Sequence, residues 1–148
     1  MIDQPLLPGL DEESAPFFEY AARGELRVQA CADCGVRRMP PRPRCERCGS
    51  FEHRWDAMSG LGTVWSFVVP HPPLLPAYSE QAPYNVVLVE LEDDPTIRLV
   101  GNVVAGADDR LDSIDPHSIA IGMPVEVVFP RPVSDDEGAV VLPRWTPA

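Results

Sequence analysis

The chain has 148 residues, 45% of them hydrophobic and 24% charged, and a formal net charge of −11. This length suits one ordinary domain or two small modules and excludes a large multidomain enzyme. The hydrophobic share excludes wholesale disorder despite 18 prolines. Because the sequence has no long uncharged apolar run and begins with acidic rather than basic residues, we expect a soluble, cytoplasmic protein with no membrane partner.

The basic residues are unevenly placed, and all 12 are arginine. Eight lie between Arg23 and Arg54, against four acidic residues, which gives this segment a local charge of +4. The planar arginine fork suits bidentate contact with phosphate or carboxylate, so the segment is a candidate binding surface. A genome rich in GC codons would equally explain the missing lysines.

The N-terminal part predicts a flexible segment, residues 1–13, followed by a module over residues 14–55. Ser14 is a predicted helix N-cap, and Ala15 to Arg23 is a predicted short helix that ends at Gly24. Phe17, Tyr20 and Ala21 would share its buried face. A short strand, Leu26 to Gln29, should lead into the next motif.

Four cysteines form the strongest motif. Two Cys-x-x-Cys pairs, each followed by glycine (Gly35 and Gly49), are separated by ten residues: Cys31, Cys34, Cys45 and Cys48. This spacing is typical of ribbons whose four thiolates bind one tetrahedral ion, and the glycines supply the positive φ of tight turns. We therefore predict a zinc ribbon with these four metal ligands.

Four protein ligands would leave the zinc no open position, so the predicted Zn²⁺ is structural. A ribbon of this size cannot bury a sufficient core of its own, and metal binding would drive its folding. Two disulfides, a redox pair, and iron in a rubredoxin-like electron carrier are the alternatives. Absorbance in the visible range would separate iron from zinc.

Residues 56–148 change to short β-rich runs divided by proline, glycine and acidic turns. Five strands are predicted, with one helical turn within Asp112 to Ile121: Gly62 to Val69, Tyr84 to Glu92, Ile97 to Val104, Val125 to Phe129 and Ala139 to Leu142. This pattern favours a five-stranded OB-fold barrel over a seven-stranded sandwich. The predicted fold class is therefore mainly β: a short N-terminal helix, a rubredoxin-like ribbon and the barrel.

The segment Val69 to Pro83 is long for a hairpin connection and contains five prolines. The prolines hold it extended, while Leu74, Leu75 and Tyr78 have no evident core to fill. Because a preordered loop loses little entropy on binding, these three residues are a predicted partner-docking surface. The alternative is a loop folded over the end of the barrel.

The sequence does not indicate a catalytic site. Its three histidines, His53, His71 and His117, do not stand beside a cysteine or carboxylate in a pattern typical of nucleophilic or acid–base catalysis. A single-stranded nucleic-acid binder is the main rival class, since OB-folds and ribbons often hold single strands. The acidic barrel segment argues against a nucleic-acid partner, although Trp65 and Phe67 are predicted to share one face of the first barrel strand.

Several motifs occur in an order that resembles one family over about Ser14 to Trp145. They are Phe17-Phe18-Glu19-Tyr20-Ala21, Arg42-Pro43-Arg44-Cys45, Ser59-Gly60-Leu61-Gly62-Thr63-Val64 and Ile121-Gly122-Met123-Pro124-Val125. The chain resembles the rubredoxin-like zinc-ribbon plus OB-fold family, formerly a domain of unknown function, associated with acyl-CoA and lipid metabolism.

The resemblance implies a non-catalytic accessory subunit in a hetero-oligomer with a thiolase-fold enzyme. That enzyme would be a lipid-transfer-protein-like aldolase of steroid side-chain degradation or a thiolase, and the alternative partner is a hot-dog-fold enoyl-CoA hydratase. The resemblance also implies that the domain can bind or channel acyl-CoA. In that case the predicted phosphate contacts are Arg37, Arg38, Arg42 and Arg44.

Overall fold

The computed structural model describes residues 5–148, so the first four residues of the predicted flexible segment 1–13 lie outside the described residues. Helix α1 spans Ala15–Ala22. It buries Ala21, and Phe17 packs against the core, so the predicted helix and its buried face are confirmed. Gly24 follows with φ 76°, a left-handed conformation that favours glycine.

Ser14 is the N-cap residue of this helix, as predicted, but it does not cap the helix with its side chain. Its hydroxyl makes no hydrogen bond to a helix N–H. It donates instead to the carboxylate of Asp11 at 2.8 Å, and the backbone N–H of Asp11 donates back to it at 3.2 Å. Asp11 competes for the hydroxyl because it lies in the turn immediately before the helix.

The ribbon contains a three-stranded antiparallel sheet. Its strands are β1 (Arg27–Cys31), β2 (Arg37–Arg38) and β3 (His53–Ala57), in the order β2-β1-β3. The predicted Leu26 to Gln29 strand is thus present as β1, which begins one residue later and extends to the first cysteine. Leu26 and Val28 belong to the same buried cluster as the barrel residues, so ribbon and barrel share one core.

Seven further strands follow the ribbon. They are β4 (Leu61–Val68), β5 (Val86–Leu91), β6 (Arg98–Gly101), β7 (Pro124–Val128), β8 (Val133–Asp135), β9 (Gly138–Val140) and β10 (Arg144–Pro147). Five of them form one antiparallel sheet in the order β10-β7-β4-β5-β6. A parallel bridge between Val103, just after β6, and Trp145 of β10 joins the two ends of this sheet. The result is the closed five-stranded barrel of an OB-fold.

The predicted fifth barrel strand, Ala139 to Leu142, is placed wrongly. β9 pairs with β8 in a separate two-stranded hairpin, and β10 supplies the fifth barrel strand. Trp145 in β10 is fully buried and is the largest such side chain in the described residues. Burial of this ring explains why the later segment, rather than the valine pair before it, closes the barrel.

Two short helical turns complete the chain. Helix α2, Pro76–Ser79, lies in the long proline-rich loop between β4 and β5, and a 3₁₀ turn, Pro116–Ser118, lies between β6 and β7. The latter confirms the predicted helical turn within Asp112 to Ile121. Within residues 5–148, the helices are all too short and too polar to cross a membrane.

Candidate metal site and binding surfaces

The two cysteine pairs meet at one end of the ribbon. The four sulfur atoms lie within 4.8 Å of one another. The Sγ atoms of Cys31 and Cys48 are 3.5 Å apart, and those of Cys34 and Cys45 are 3.6 Å apart. These separations exceed a disulfide bond of about 2.05 Å. They match the spacing of about 3.8 Å that four sulfurs adopt around one ion at about 2.3 Å.

The two pairs have the same backbone geometry. Gly35 donates to the carbonyl of Cys31 at 3.0 Å, and Gly49 donates to the carbonyl of Cys45 at 2.9 Å. Both glycines have φ 78°, as the sequence predicted. Each turn directs backbone N–H groups at a sulfur, and the N–H of Cys34 lies 3.5 Å from the Cys31 sulfur. The fold thus builds two equivalent turns facing each other.

The electrostatics of the cluster favour a bound cation. Hydrogen bonding from the Cys34 backbone lowers the pKa of Cys31 to about 6, and the Cys48 backbone lowers the pKa of Cys45. At Cys48 the Ser50 N–H favours the thiolate, but the neighbouring cysteine sulfurs outweigh it and raise the pKa to about 12. Four such groups cannot all ionise together unless a cation compensates them. The donor set therefore fits one tetrahedral metal ion.

The four arginines named as phosphate contacts have different environments. Arg37 is held by Asp56 at 3.0 Å and Asp94 at 3.5 Å, which ties the ribbon to the β5–β6 turn. Arg44 donates to the carbonyl of Gly49 at 3.3 Å. Arg38 donates through Nε to Gln29 Oε1 at 2.7 Å. Arg42 forms an ion pair with Glu46, with Nε 3.4 Å from the carboxylate oxygen. Their role in phosphate binding stays a prediction.

The proposed docking residues lie on the loop between β4 and β5. Leu75 is exposed, whereas Leu74 and Tyr78 are half-buried. The Tyr78 ring lies 6.4 Å from that of Tyr84, and its hydroxyl accepts from the N–H of Leu6 at 3.3 Å.

The loop is also fixed at its far end. Arg110 donates to the carbonyl of Glu80 at 2.9 Å, and the N–H of Leu111 donates to the Gln81 side chain at 2.8 Å. The loop is therefore tied to the barrel while one leucine faces solvent.

Trp65 and Phe67 do not share a face, contrary to the sequence prediction. The β4–β5 register shifts between Val64 and Ser66. Trp65 is exposed, with the Arg98 guanidinium 3.9 Å from its ring centroid, whereas Phe67 packs against the core. Such a bulge breaks the two-residue period, and the sequence does not mark it with a glycine.

Two buried polar residues were not predicted. Gln29 and Asn85 are both fully buried, and each bonds to backbone groups of a distant segment. Gln29 stands between two buried apolar residues of β1, Val28 and Ala30. The sequence does not mark such a polar residue as buried, because side chains alternate between the two faces of a strand and a polar residue can occupy either face.

A four-cysteine ribbon followed by a closed five-stranded barrel defines a zinc-ribbon and OB-fold protein. The model of the ChsH2 rubredoxin-like zinc ribbon domain matches residues 18–54, and that of the ChsH2 C-terminal OB-fold domain matches residues 55–130. The chain therefore belongs to the ChsH2 family, and the resemblance noted in the sequence is confirmed.

Relatives include a probable enoyl-CoA hydratase alpha subunit of Thermomonospora curvata, 41% identical over 95% of this chain and 39% of that protein. The 3-oxo-4,17-pregnadiene-20-carboxyl-CoA hydratase alpha subunit of Mycobacterium tuberculosis is 35% identical over 86% of this chain and 37% of that protein. The chain thus spans about two fifths of the length of both proteins. A DUF35 domain-containing scaffold protein of Methanocaldococcus jannaschii is 33% identical over 75% of this chain and 72% of its own length.

A solved structure is also similar over nearly its whole length. A chain of the Ltp2-ChsH2(DUF35) aldolase superposes with a TM-score of 0.78 at 38% identity, covering 95% of this chain and 98% of that chain. The fold of the present chain, ribbon and barrel together, is therefore that of a polypeptide found in an aldolase assembly.

Proposed function

We propose that this chain is a non-catalytic accessory subunit that binds and stabilises a thiolase-fold acyl-CoA enzyme in a hetero-oligomer. The partner is a retro-aldolase of steroid side-chain degradation, or a thiolase. The observation that carries the proposal is the similarity to a chain of the Ltp2-ChsH2(DUF35) aldolase over nearly the full length of both chains. The scaffold name of the archaeal relative supports the same role.

Mixing the purified chain with the Ltp2 aldolase subunit tests this proposal. Size-exclusion chromatography with light scattering should show one species of higher mass than either component. Two species with unchanged masses would contradict it.

The docking surface in this proposal is the β4–β5 loop with Leu74, Leu75 and Tyr78. A double variant, Leu74→Ser with Leu75→Ser, should weaken the complex at least about tenfold, because docked apolar anchors carry much of the binding energy. Ile121→Ser is a matched control, since Ile121 is exposed and lies outside this loop. Equal dissociation constants for the two variants would remove the loop from the interface.

The ion in the four-cysteine site is, in this proposal, a structural Zn²⁺. Its ligands are Cys31, Cys34, Cys45 and Cys48, whose sulfurs fit four-coordinate geometry. The ion would cross-link the two turns and contribute folding free energy to the ribbon. Metal analysis should give one zinc per chain without visible absorbance, whereas bound iron would show strong visible bands.

A hydratase partner is the second candidate, and the names of two relatives favour it. This chain matches only about two fifths of each of these two relatives, and the rest of each relative has no counterpart in this chain. The same mixing experiment with a hot-dog-fold enoyl-CoA hydratase distinguishes the two: we expect a complex with the aldolase and none with the hydratase.

A further inference from the structure

The four cysteines of the metal site differ in their access to solvent. Cys31 and Cys45 are buried, Cys34 is half-buried, and Cys48 is exposed. An open cavity of about 660 Å³ lies beside the second cysteine turn, and residues 42–49, which include both cysteines of that turn, line it. Cys48 is therefore the ligand that a small molecule arriving from solvent reaches most readily.

A reaction partner for the Cys48 sulfur comes from the other turn. The Sγ atoms of Cys48 and Cys31 are 3.5 Å apart. A disulfide bond of about 2.05 Å requires the two sulfurs to approach each other by about 1.5 Å. The backbone of Cys31 is fixed, since its carbonyl accepts from Arg54 at 3.2 Å and its N–H donates to the Val36 carbonyl at 2.8 Å. A small movement of the exposed Cys48 side chain would therefore bring the two sulfurs into bonding distance.

The two cysteine turns are also joined by contacts that need no metal. The Ser50 hydroxyl donates to the carboxylate of Asp33, and the N–H of Ala32 donates to the carbonyl of Glu52 at 3.0 Å. Ala32 and Asp33 lie within the first cysteine pair, whereas Ser50 and Glu52 follow the second pair. These hydrogen bonds would keep the two reacting sulfurs adjacent after the ion has left.

We propose that the ribbon is a redox-sensitive site, in which a hydroperoxide oxidises Cys48 first and Cys31 then forms a disulfide with it. In a metal-bound site all four sulfurs are thiolates, so access to solvent decides which of them reacts. The Cys48 sulfur attacks one oxygen of hydrogen peroxide, the O–O bond breaks, and hydroxide leaves, which gives a sulfenic acid. The Cys31 thiolate then attacks the Cys48 sulfur, so that the S–S bond forms, the S–O bond breaks, and a second hydroxide leaves.

The consequence of this oxidation is loss of the metal ion. The two thiolates lose two electrons, and the peroxide gains both as it becomes two hydroxide ions. Cys34 and Cys45 alone are half of a tetrahedral ligand set, so they should not retain the ion. The new disulfide cross-links the two turns in its place, and a dithiol would reverse the step by exchange. The inference rests on the structural zinc proposed above and does not depend on the accessory role.

The test is treatment of the zinc-loaded full chain with hydrogen peroxide. A chromogenic chelator follows zinc release, and free thiols are counted in the same samples. Zinc should be released in step with the loss of two thiols per chain, at a rate proportional to the peroxide concentration. Peptide mapping at limiting peroxide should find a disulfide between Cys31 and Cys48, and dithiothreitol with added zinc should restore the metal content.

Two histidine variants test the assignment of Cys48. Cys48→His keeps four ligands in a Cys₃His set but cannot form the disulfide, so it should release zinc roughly tenfold more slowly than the unsubstituted chain. Cys34→His makes the same exchange at a half-buried ligand and keeps Cys31 and Cys48, so it should release zinc roughly tenfold faster than Cys48→His. Ala32→Ser, which does not change a ligand, should match the unsubstituted chain.

A first disulfide that does not include Cys48 would overturn the proposal, as would equal release rates from Cys48→His and Cys34→His. If either histidine variant fails to take up zinc, the peptide map of the unsubstituted chain decides the question alone. A chain that holds no zinc before oxidation would contradict the structural-zinc proposal itself. Zinc that stays bound in the presence of excess peroxide would contradict only the present inference.

Discussion

Asn85 and Val103 are joined by two hydrogen bonds inside the barrel. The Asn85 side chain donates to the carbonyl of Val103 at 2.8 Å and accepts from its N–H at 2.7 Å, and both residues are fully buried. The amide thus pairs with a backbone segment just beyond β6, where Val103 also bridges to Trp145. One side chain fixes the segment at which the barrel closes.

Asn85→Ala should lower the free energy of unfolding by about 2–4 kcal/mol, because it leaves both backbone groups of Val103 without a partner. Urea denaturation measures this loss. Asn102→Ala is the comparison, since Asn102 is half-buried and donates one hydrogen bond, to the Asn85 carbonyl at 2.6 Å. Its loss should be about 1 kcal/mol. Equal losses of unfolding free energy in the two variants would contradict the claim that Asn85 contributes more to stability than Asn102.

Gly62→Ala should destabilise the barrel by about 2 kcal/mol or more, because a β-carbon would lie 2.6 Å from both the Glu90 carbonyl oxygen and a Val89 methyl. Strands β4 and β5 would have to separate to admit it. Gly9→Ala is the control, since nothing lies within 4 Å of a β-carbon there. Thermal unfolding of the two variants should differ clearly, and a Gly62→Ala protein as stable as the control would refute this account of the close strand contact.

Cys45→Ser should abolish stoichiometric zinc binding and unfold the ribbon, because three thiolates cannot complete the tetrahedral set. Zinc content and the amide NMR signals of β1 to β3 report the two effects. Ala32→Ser, within the first cysteine pair but not a ligand, should retain full zinc and a folded ribbon. A Cys45→Ser protein with one zinc per chain would exclude Cys45 as a ligand.

Stability should fall on acidification partly through Asp93. The Ser59 hydroxyl and N–H lower the pKa of Asp93 below its ordinary 3.8. Since the folded-state pKa is the lower one, this stabilisation is present above about pH 4 and is lost as the pH falls through the folded value. The melting temperature of the unsubstituted chain should therefore drop more steeply as the pH falls below about 4 than that of Asp93→Asn. Asp136→Asn, at an exposed position, should behave like the unsubstituted chain. If the melting temperature falls with pH in the same way in all three proteins, Asp93 does not contribute to the loss of stability in acid.

The sequence predicted the features that depend on local chemistry. Two cysteine pairs with following glycines specified the ribbon, and proline, glycine and acidic turns marked four of the five barrel strands. The fifth was misplaced because Pro143 precedes β10, Pro147 is its last residue, and a valine pair stands just before it. Burial of Trp145, a tertiary effect, decided the outcome. The bulge at Trp65 and the buried Gln29 depend on register and neighbours, which strand periodicity does not encode.

The most direct test of the accessory-subunit account is acyl-CoA cleavage by the Ltp2 aldolase subunit, measured with increasing amounts of this chain. The account predicts no turnover by the chain alone, little by the enzyme alone, and a rise that saturates at a fixed molar ratio. Turnover that is independent of the chain at every ratio would contradict it.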